Sequence, residues 1–108
     1  MANIVPHSFK SELLSGTHNF ASGGDSFRLP LYTSNPYTTA STAYLTTNEV
    51  STGSGSNYVT AGKELQTQTV TTGTGTATVD FANLTYSSAT FGAAFGAIYN
   101  DDKSDKLC

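Results

Sequence analysis

Tryptophan is absent, cysteine and methionine occur once each, and only five basic and eight acidic side chains are spread over 108 residues. Each shortage excludes a class of protein. The single cysteine, Cys108, has no partner in the chain, so a disulfide-stapled secreted scaffold is ruled out. The basic residues Lys10, Arg28, Lys63, Lys103 and Lys106 are scattered and the net charge is −3, so no stripe exists for a phosphate backbone and nucleic acid is not an expected partner. The most apolar stretch, Phe91 to Tyr99, is less than half of the roughly 20 residues a membrane helix needs, and no membrane partner is expected. The opening Met1-Ala2-Asn3-Ile4-Val5-Pro6 lacks a basic stretch followed by an apolar run, so a soluble product made in a cytoplasm is expected.

What remains is small and hydroxyl-rich. The length fits one domain, residues 1–108, since roughly 100 to 150 residues is the commonest domain size. Threonine (18) and serine (13) outnumber all Leu, Ile and Val together, while six Phe and six Tyr supply the large apolar surfaces. Low charge and these aromatics argue against disorder. The composition reads as a Thr-rich β protein with a thin core.

Along the chain, residues 1–7 form an N-terminal arm. In Ser8 to Gly16, Phe9 and Leu13 lie four apart, Ser8 is placed to cap and Gly16 to terminate, which predicts a two-turn helix. From Asp25 the period becomes two. Phe27, Leu29 and Leu31 alternate with Ser26, Arg28 and Pro30 as in a half-buried strand, and Pro30, lacking a ladder donor, marks an edge or bulge. Residues 33–57 follow, a Ser/Thr-rich loop region containing Asn35-Pro36 and Gly53-Ser54-Gly55, in which Ala43-Tyr44-Leu45 and Glu49-Val50 are placed to touch the core.

The second half predicts a β-hairpin: Leu65 to Thr71, turn residues Gly73-Thr74-Gly75, then Thr76 to Phe81 with Ala77, Val79 and Phe81 on one face. After a Ser87-Ser88 turn, Thr90 to Tyr99 reads as a strand with Phe91, Ala93, Phe95, Ala97 and Tyr99 on one face and the small Gly92, Ala94 and Gly96 on the other. Asn100-Asp101-Asp102 turns the chain, and Lys103 to Cys108 begins a return strand. The fold class expected is all-β, an antiparallel β-sandwich or jelly-roll-like domain with one short N-terminal helix. Phe27, Leu29, Leu31, Val79, Phe81, Phe91 and Phe95 are assigned to its core.

Chemistry-bearing patterns are few. His7 and His18 are the only histidines, and no serine or cysteine stands in a nucleophile elbow, so surface or capping roles are expected for both and no catalytic residue is assigned. Asp101, Asp102 and Asp105 lack the glycine and distal Glu of a calcium loop and are opposed by Lys103 and Lys106; a solvated turn is expected, with no metal and no cofactor. Glu64 and Asp80 read as solubilising charges, not as a glycosidase pair. Asn83-Leu84-Thr85 matches a glycosylation acceptor that has no meaning without secretion. Gly92-x-x-x-Gly96 lies in a stretch of period two, and so reads as strand.

The succession Phe9-Lys10-x-Glu12-Leu13-Leu14-x-Gly16-x-His18-Asn19-Phe20, Leu29-x-Leu31-Tyr32-Thr33 and Ala43-Tyr44-x-Thr46-Thr47-Asn48-Glu49-Val50 resembles small structural proteins of tailed bacteriophages. Tyr58-x-x-Ala61-Gly62-x-x-Leu65, Val79-Asp80-Phe81-Ala82 and Gly96-Ala97-Ile98-Tyr99-Asn100 continue the likeness over most of the chain. The resemblance implies a non-enzymatic all-β virion component. Chains of that family run on after the Tyr-Asn turn, so the sheet is expected to be completed by assembly or by further residues.

Within that resemblance the first expectation is a capsid decoration or cement protein on the outer surface of the shell. Its partner is then the major capsid protein, bound in repeated symmetric copies or as a homo-oligomer. Low charge and hydroxyl-rich strands suit broad polar contacts. Contact-bearing positions are expected in the arm, the helix and the loop: Pro6, His7, Phe9, Leu13, Tyr32, Tyr44 and Tyr58. The alternative is a tail, neck or head-fibre module contacting a receptor or carbohydrate, with Tyr32, Tyr37, Tyr44 and Tyr58 as stacking platforms if exposed. If they are instead buried, these tyrosines pin the loop to the sheet.

Overall fold

Pro6 is fully buried and extended, and it delivers the chain into a helix, α1 (His7–Leu14). This is the first element of a computed structural model that describes residues 4–52, 56–86 and 91–108. The expected turns and strand parts at Gly53-Ser54-Gly55, Ser87-Ser88 and Thr90, and the start of the arm, lie outside the described residues. Ser8 does not cap α1, because its hydroxyl donates to the Ser41 carbonyl at 3.3 Å; the first helical N–H, of His7, is satisfied by the Thr39 carbonyl at 2.9 Å instead. A helix of two turns is unstable alone, and these bonds fasten its start to the long loop. Gly16, at φ +76°, ends it as its sequence position predicts.

The strands are short and antiparallel: β1 (Phe27–Leu29), β2 (Leu31–Tyr32), β3 (Lys63–Glu64), β4 (Thr69–Gly73), β5 (Thr76–Asp80), β6 (Phe95–Gly96), β7 (Tyr99–Asn100) and β8 (Lys106–Leu107). They form a four-stranded sheet in the order β3-β1-β7-β8 and two ribbons, β2-β6 and β4-β5. Among the described residues the fold is therefore β-rich with one short helix, and its sheets do not close. The pairing of β1 with β7 (Phe27 opposite Asn100) and of β2 with β6 (Tyr32 opposite Phe95) keeps one register across Pro30. Pro30 has no N–H to give, so the ladder lapses there while its carbonyl still accepts from the Ala97 N–H at 3.1 Å.

Two readings of strand faces are corrected. Phe27 and Tyr32 point to opposite faces of that segment and both are fully buried, so it is covered on two sides and not one. The predicted strand from Thr90 to Tyr99 is reduced to β6 and β7, and Gly92, Ala93 and Ala94 are exposed coil. The return strand after Asn100 is present as β8, pairing with β7. The hairpin is present too, tighter than expected, with Thr74-Gly75 as a two-residue turn. Every residue of both its strands is exposed, so Val79 does not belong to the core.

Half of the core is instead phenolic. Tyr32, Tyr37, Tyr58 and Tyr99 are buried with Phe27, Val50, Leu65 and Leu107, while Leu29, Leu31, Phe81, Phe91 and Phe95 are half-buried around them. Phe20 stacks on Phe27 at 4.3 Å, with Phe9 and Phe81 edge-on at either end, so one row of rings links α1 to the base of the hairpin. Gly62 shows how closely the chain passes itself. Its φ is +83°, and an added Cβ would lie 2.4 Å from Leu29 C and Pro30 N. We expect Gly62→Ala to lower stability by about 2 kcal/mol or more, while Gly16→Ala, with open space around it, costs about 1 kcal/mol. Urea denaturation midpoints check the difference.

Candidate functional site

Three features concentrate polar or apolar chemistry: a tyrosine–carboxylate frame, a histidine cluster and an apolar groove. The frame is built on Glu49, the only charged side chain between Arg28 and Lys63. Asn48, at φ +61°, turns the chain so that Glu49 bridges Tyr32 and its carboxylate points inward. The hydroxyls of Tyr44 and Tyr58 both donate to that carboxylate, and the Ala61 N–H adds a third bond at 2.7 Å. The Tyr58 oxygen also accepts from Leu31 N–H at 3.1 Å, which ties the loop to β2.

A second arm of the frame runs through Tyr32 and Tyr37, whose hydroxyls are hydrogen-bonded to each other. Tyr32 donates to the Leu45 carbonyl at 2.8 Å, and the Tyr37 oxygen accepts from the Leu45 N–H at 3.0 Å. Tyr99 stacks on Tyr44 at 4.8 Å and donates to the Ala61 carbonyl at 2.9 Å. Burial, and then the neighbouring carboxylate, raise the phenols of Tyr44 and Tyr58, and burial pushes that of Tyr99 up to about 12. They are neutral donors over the whole physiological range.

This placement corrects the expected use of the tyrosines. Tyr32 and Tyr58 are 0 % and 5 % exposed, Tyr37 is buried and Tyr44 is half-buried, so the rings hold the loop to the sheet and present no stacking platform. Pro6 is buried as well and offers no contact surface in this chain. His7 and Leu13 are exposed, and Phe9 is half-buried against His18 and Phe20.

The second feature is His18, for which a surface or capping role was expected; its side chain is fully buried. Nε2 lies 2.9 Å from Glu12 Oε1 on α1, and Nδ1 lies 2.9 Å from the Asn100 amide nitrogen on β7. That amide is held in one orientation: its nitrogen also donates to Asp25 Oδ2 at 2.9 Å, and its oxygen accepts from Asp102 N–H at 3.0 Å. Nδ1 is therefore the acceptor and Nε2–H donates to Glu12. Lys106 and Lys103 approach Glu12 and Asp25 at 3.2 and 3.5 Å.

Cys108 Sγ lies 3.9 Å from His18 Nδ1, so thiol, imidazole and carboxylate stand in sequence. The electrostatics oppose a nucleophile. Burial, then Glu12 and Asp25, push the Cys108 thiol up to about 12, and the shorter bond to Nδ1 belongs to Asn100. What the cluster does is join α1, the loop at Asp25, β7 and β8 around one ring.

Its pH dependence follows. Desolvation opposes the charges of Glu12 and Asp25, yet the hydrogen bonds from His18 and Lys106 to the first, and from Asn100 and the Asn19 N–H to the second, hold both below the usual carboxylate range. A depressed folded-state value means that their stabilisation is complete above the unfolded-state value, about 4, and is lost as pH falls through the folded-state value. We expect the melting temperature to fall as pH drops below about 4, and Glu12→Gln to flatten that fall.

The third feature is an open apolar groove of about 430 Å³, lined by Phe9, Phe20, Phe81, Phe95, Ile98 and Leu107 among others. The remaining acidic candidates are engaged in the turn after β7 or exposed on the strands. Asp101 pairs with Arg28 at 3.3 Å and the Asp102 carboxylate accepts from Ser26 N–H at 2.8 Å, while Glu64 and Asp80 are exposed. Among the described residues no group of three or more His, Cys, Asp or Glu is placed to hold a metal ion, and no helix is long and apolar enough to cross a membrane. Comparison with protein-family models, with curated proteins and with solved structures gives no match.

Proposed function

We propose that the chain is a non-enzymatic virion structural protein, a decoration or cement protein that binds the outer face of a capsid shell through its arm and helix. The observation that carries this reading is the outward face of that segment. Leu14 is 92 % exposed and Leu13 47 %, and Val5 is exposed ahead of the helix, while α1 itself is tied down by Glu12, His7 and Ser8. A fastened helix that turns leucines to solvent is built to be covered. The frame on Glu49 supports the same reading, since it rigidifies the loop instead of opening a pocket, and rigid surfaces lose least entropy when many copies dock. The sequence resemblance supplies the partner, the major capsid protein, and the finer architecture, a β-sandwich or jelly roll closed in the assembled particle.

The test mixes the purified protein with capsids that lack it. Saturable co-sedimentation and a higher melting temperature of the shell are the expected results. Leu14→Ser should sharply weaken co-sedimentation while leaving the melting temperature of the free protein nearly unchanged, because that side chain is already in water. Absence of binding by the unaltered protein would overturn the reading.

A further inference from the structure

The hairpin β4-β5 is the least accounted-for part of the molecule. Two strands without further partners are marginally stable, and a third strand over an apolar face is normally needed. The hairpin has such a face: the register sets Val70 opposite Val79 and Thr72 opposite Ala77 on one side, with Thr71 opposite Thr78 on the other, their hydroxyls 2.7 Å apart. Val70 and Val79 are 47 % and 42 % exposed.

Its edges are equally open, in contrast to those of β2 and β8. The outer side of β2 is covered by bonds to Asn48 and Val50, and that of β8 by the Thr42 carbonyl, which accepts from Leu107 N–H at 3.0 Å. Among the described residues, no such bond reaches the outer edges of Thr69–Gly73 or Thr76–Asp80. Nor does charge protect them. From Leu65 to Val79 there is no charged residue and no proline, the two usual guards of an exposed edge.

Because Gly73 and Thr76 flank a two-residue turn, they exchange hydrogen bonds, and the alternation of an antiparallel ladder makes Thr71 and Thr78 the next bonded pair. The N–H and C=O groups of Val70 and Thr72 then point outward from β4. We propose that this edge pairs with the same edge of a second copy of the chain, antiparallel about Thr71, to make one four-stranded sheet. Val70 of each copy faces Thr72 of the other, so each outward donor meets an acceptor, and the threonine row Thr78-Thr71 continues across the dyad. The occupant is a second copy because a two-fold pairing presents the same surface from both sides. β4 carries no charge to repel its own image, whereas β5 ends in Asp80.

Sedimentation equilibrium of the purified chain tests this without any capsid, so its outcome is separate from that of shell binding. A concentration-dependent dimer is expected. Thr72→Pro, which removes one outward donor, and Val70→Lys, which places a charge at the edge, should each abolish it, while Ala77→Pro on the opposite edge leaves it intact. In a Cys108→Ser background, Thr71→Cys should form an intermolecular disulfide and Thr78→Cys should not. A chain that stays monomeric at every concentration overturns the proposal. So does a dimer that survives both β4 variants or cross-links only through position 78.

Discussion

Glu49→Ala lowers the stability of the chain by about 3 kcal/mol or more, the largest effect expected of any change in the loop region. The carboxylate accepts from the Tyr44 and Tyr58 hydroxyls and from Ala61 N–H, and hydrogen bonds to a charged group contribute about 1.5 to 3 kcal/mol each before their losses overlap. Truncation leaves the buried Tyr58 hydroxyl and the half-buried Tyr44 and Ala61 donors facing an apolar methyl. It also releases Ala61, which sits at φ +68° beside Gly62 in a turn that the carboxylate holds closed. Glu49→Gln keeps the volume but turns an amide N–H toward one of these donors, so an intermediate loss of about 1 to 2 kcal/mol is expected. Urea unfolding measures both, and amide exchange at Leu31 and Ala61 should quicken in Glu49→Ala. A loss below about 1 kcal/mol would contradict the frame's role.

Phe27→Ala is the second large effect. Phe27 is fully buried between Phe20 and Phe81, and large-to-small changes at such sites cost about 3 to 5 kcal/mol. Stabilities of whole domains are only about 5 to 15 kcal/mol, and the aliphatic core here is thin. The variant is therefore expected to be largely unfolded at 37 °C, or to melt far below the parent chain by circular dichroism. Because the row of rings joins α1 to the hairpin, Phe20→Ala should weaken the same two elements, with a smaller loss since Phe20 is half-buried. A melting temperature of Phe27→Ala close to that of the parent would show that the row does not join the elements.

Local chemistry was the legible part of this sequence. The short helix and its glycine stop, the break at Pro30, the hairpin faces around Ala77 and Val79 and the return strand after Asn100 all follow from spacing within a few residues. The loop region was legible as loop, and Ala43 and Val50 reach the body as expected, through the bridge to Lys106 and by burial. The tyrosines' choice between platform and pin was not settled by spacing, since it depends on an acceptor several residues away. A signal was present nonetheless: one carboxylate, Glu49, stands alone in a long uncharged stretch with four tyrosines around it, and a lone buried charge needs donors. His18 was misplaced for a similar reason. Its partners Glu12 and Asn100 come from opposite ends of the chain, and only the fold brings them to one ring. The strand expected over Thr90 to Tyr99 fell short because alternation there rests on Gly and Ala, which contribute little packing to a ladder.

A frame of buried tyrosines, a pinned helix that turns leucines outward and an uncharged open hairpin edge are the features on which the proposed assembly rests. The most direct test is electron cryomicroscopy of capsids incubated with the purified chain. The account predicts density for the protein repeated over the whole shell, with α1 against the capsid surface. Density confined to the tail vertex, or none at all, would contradict it.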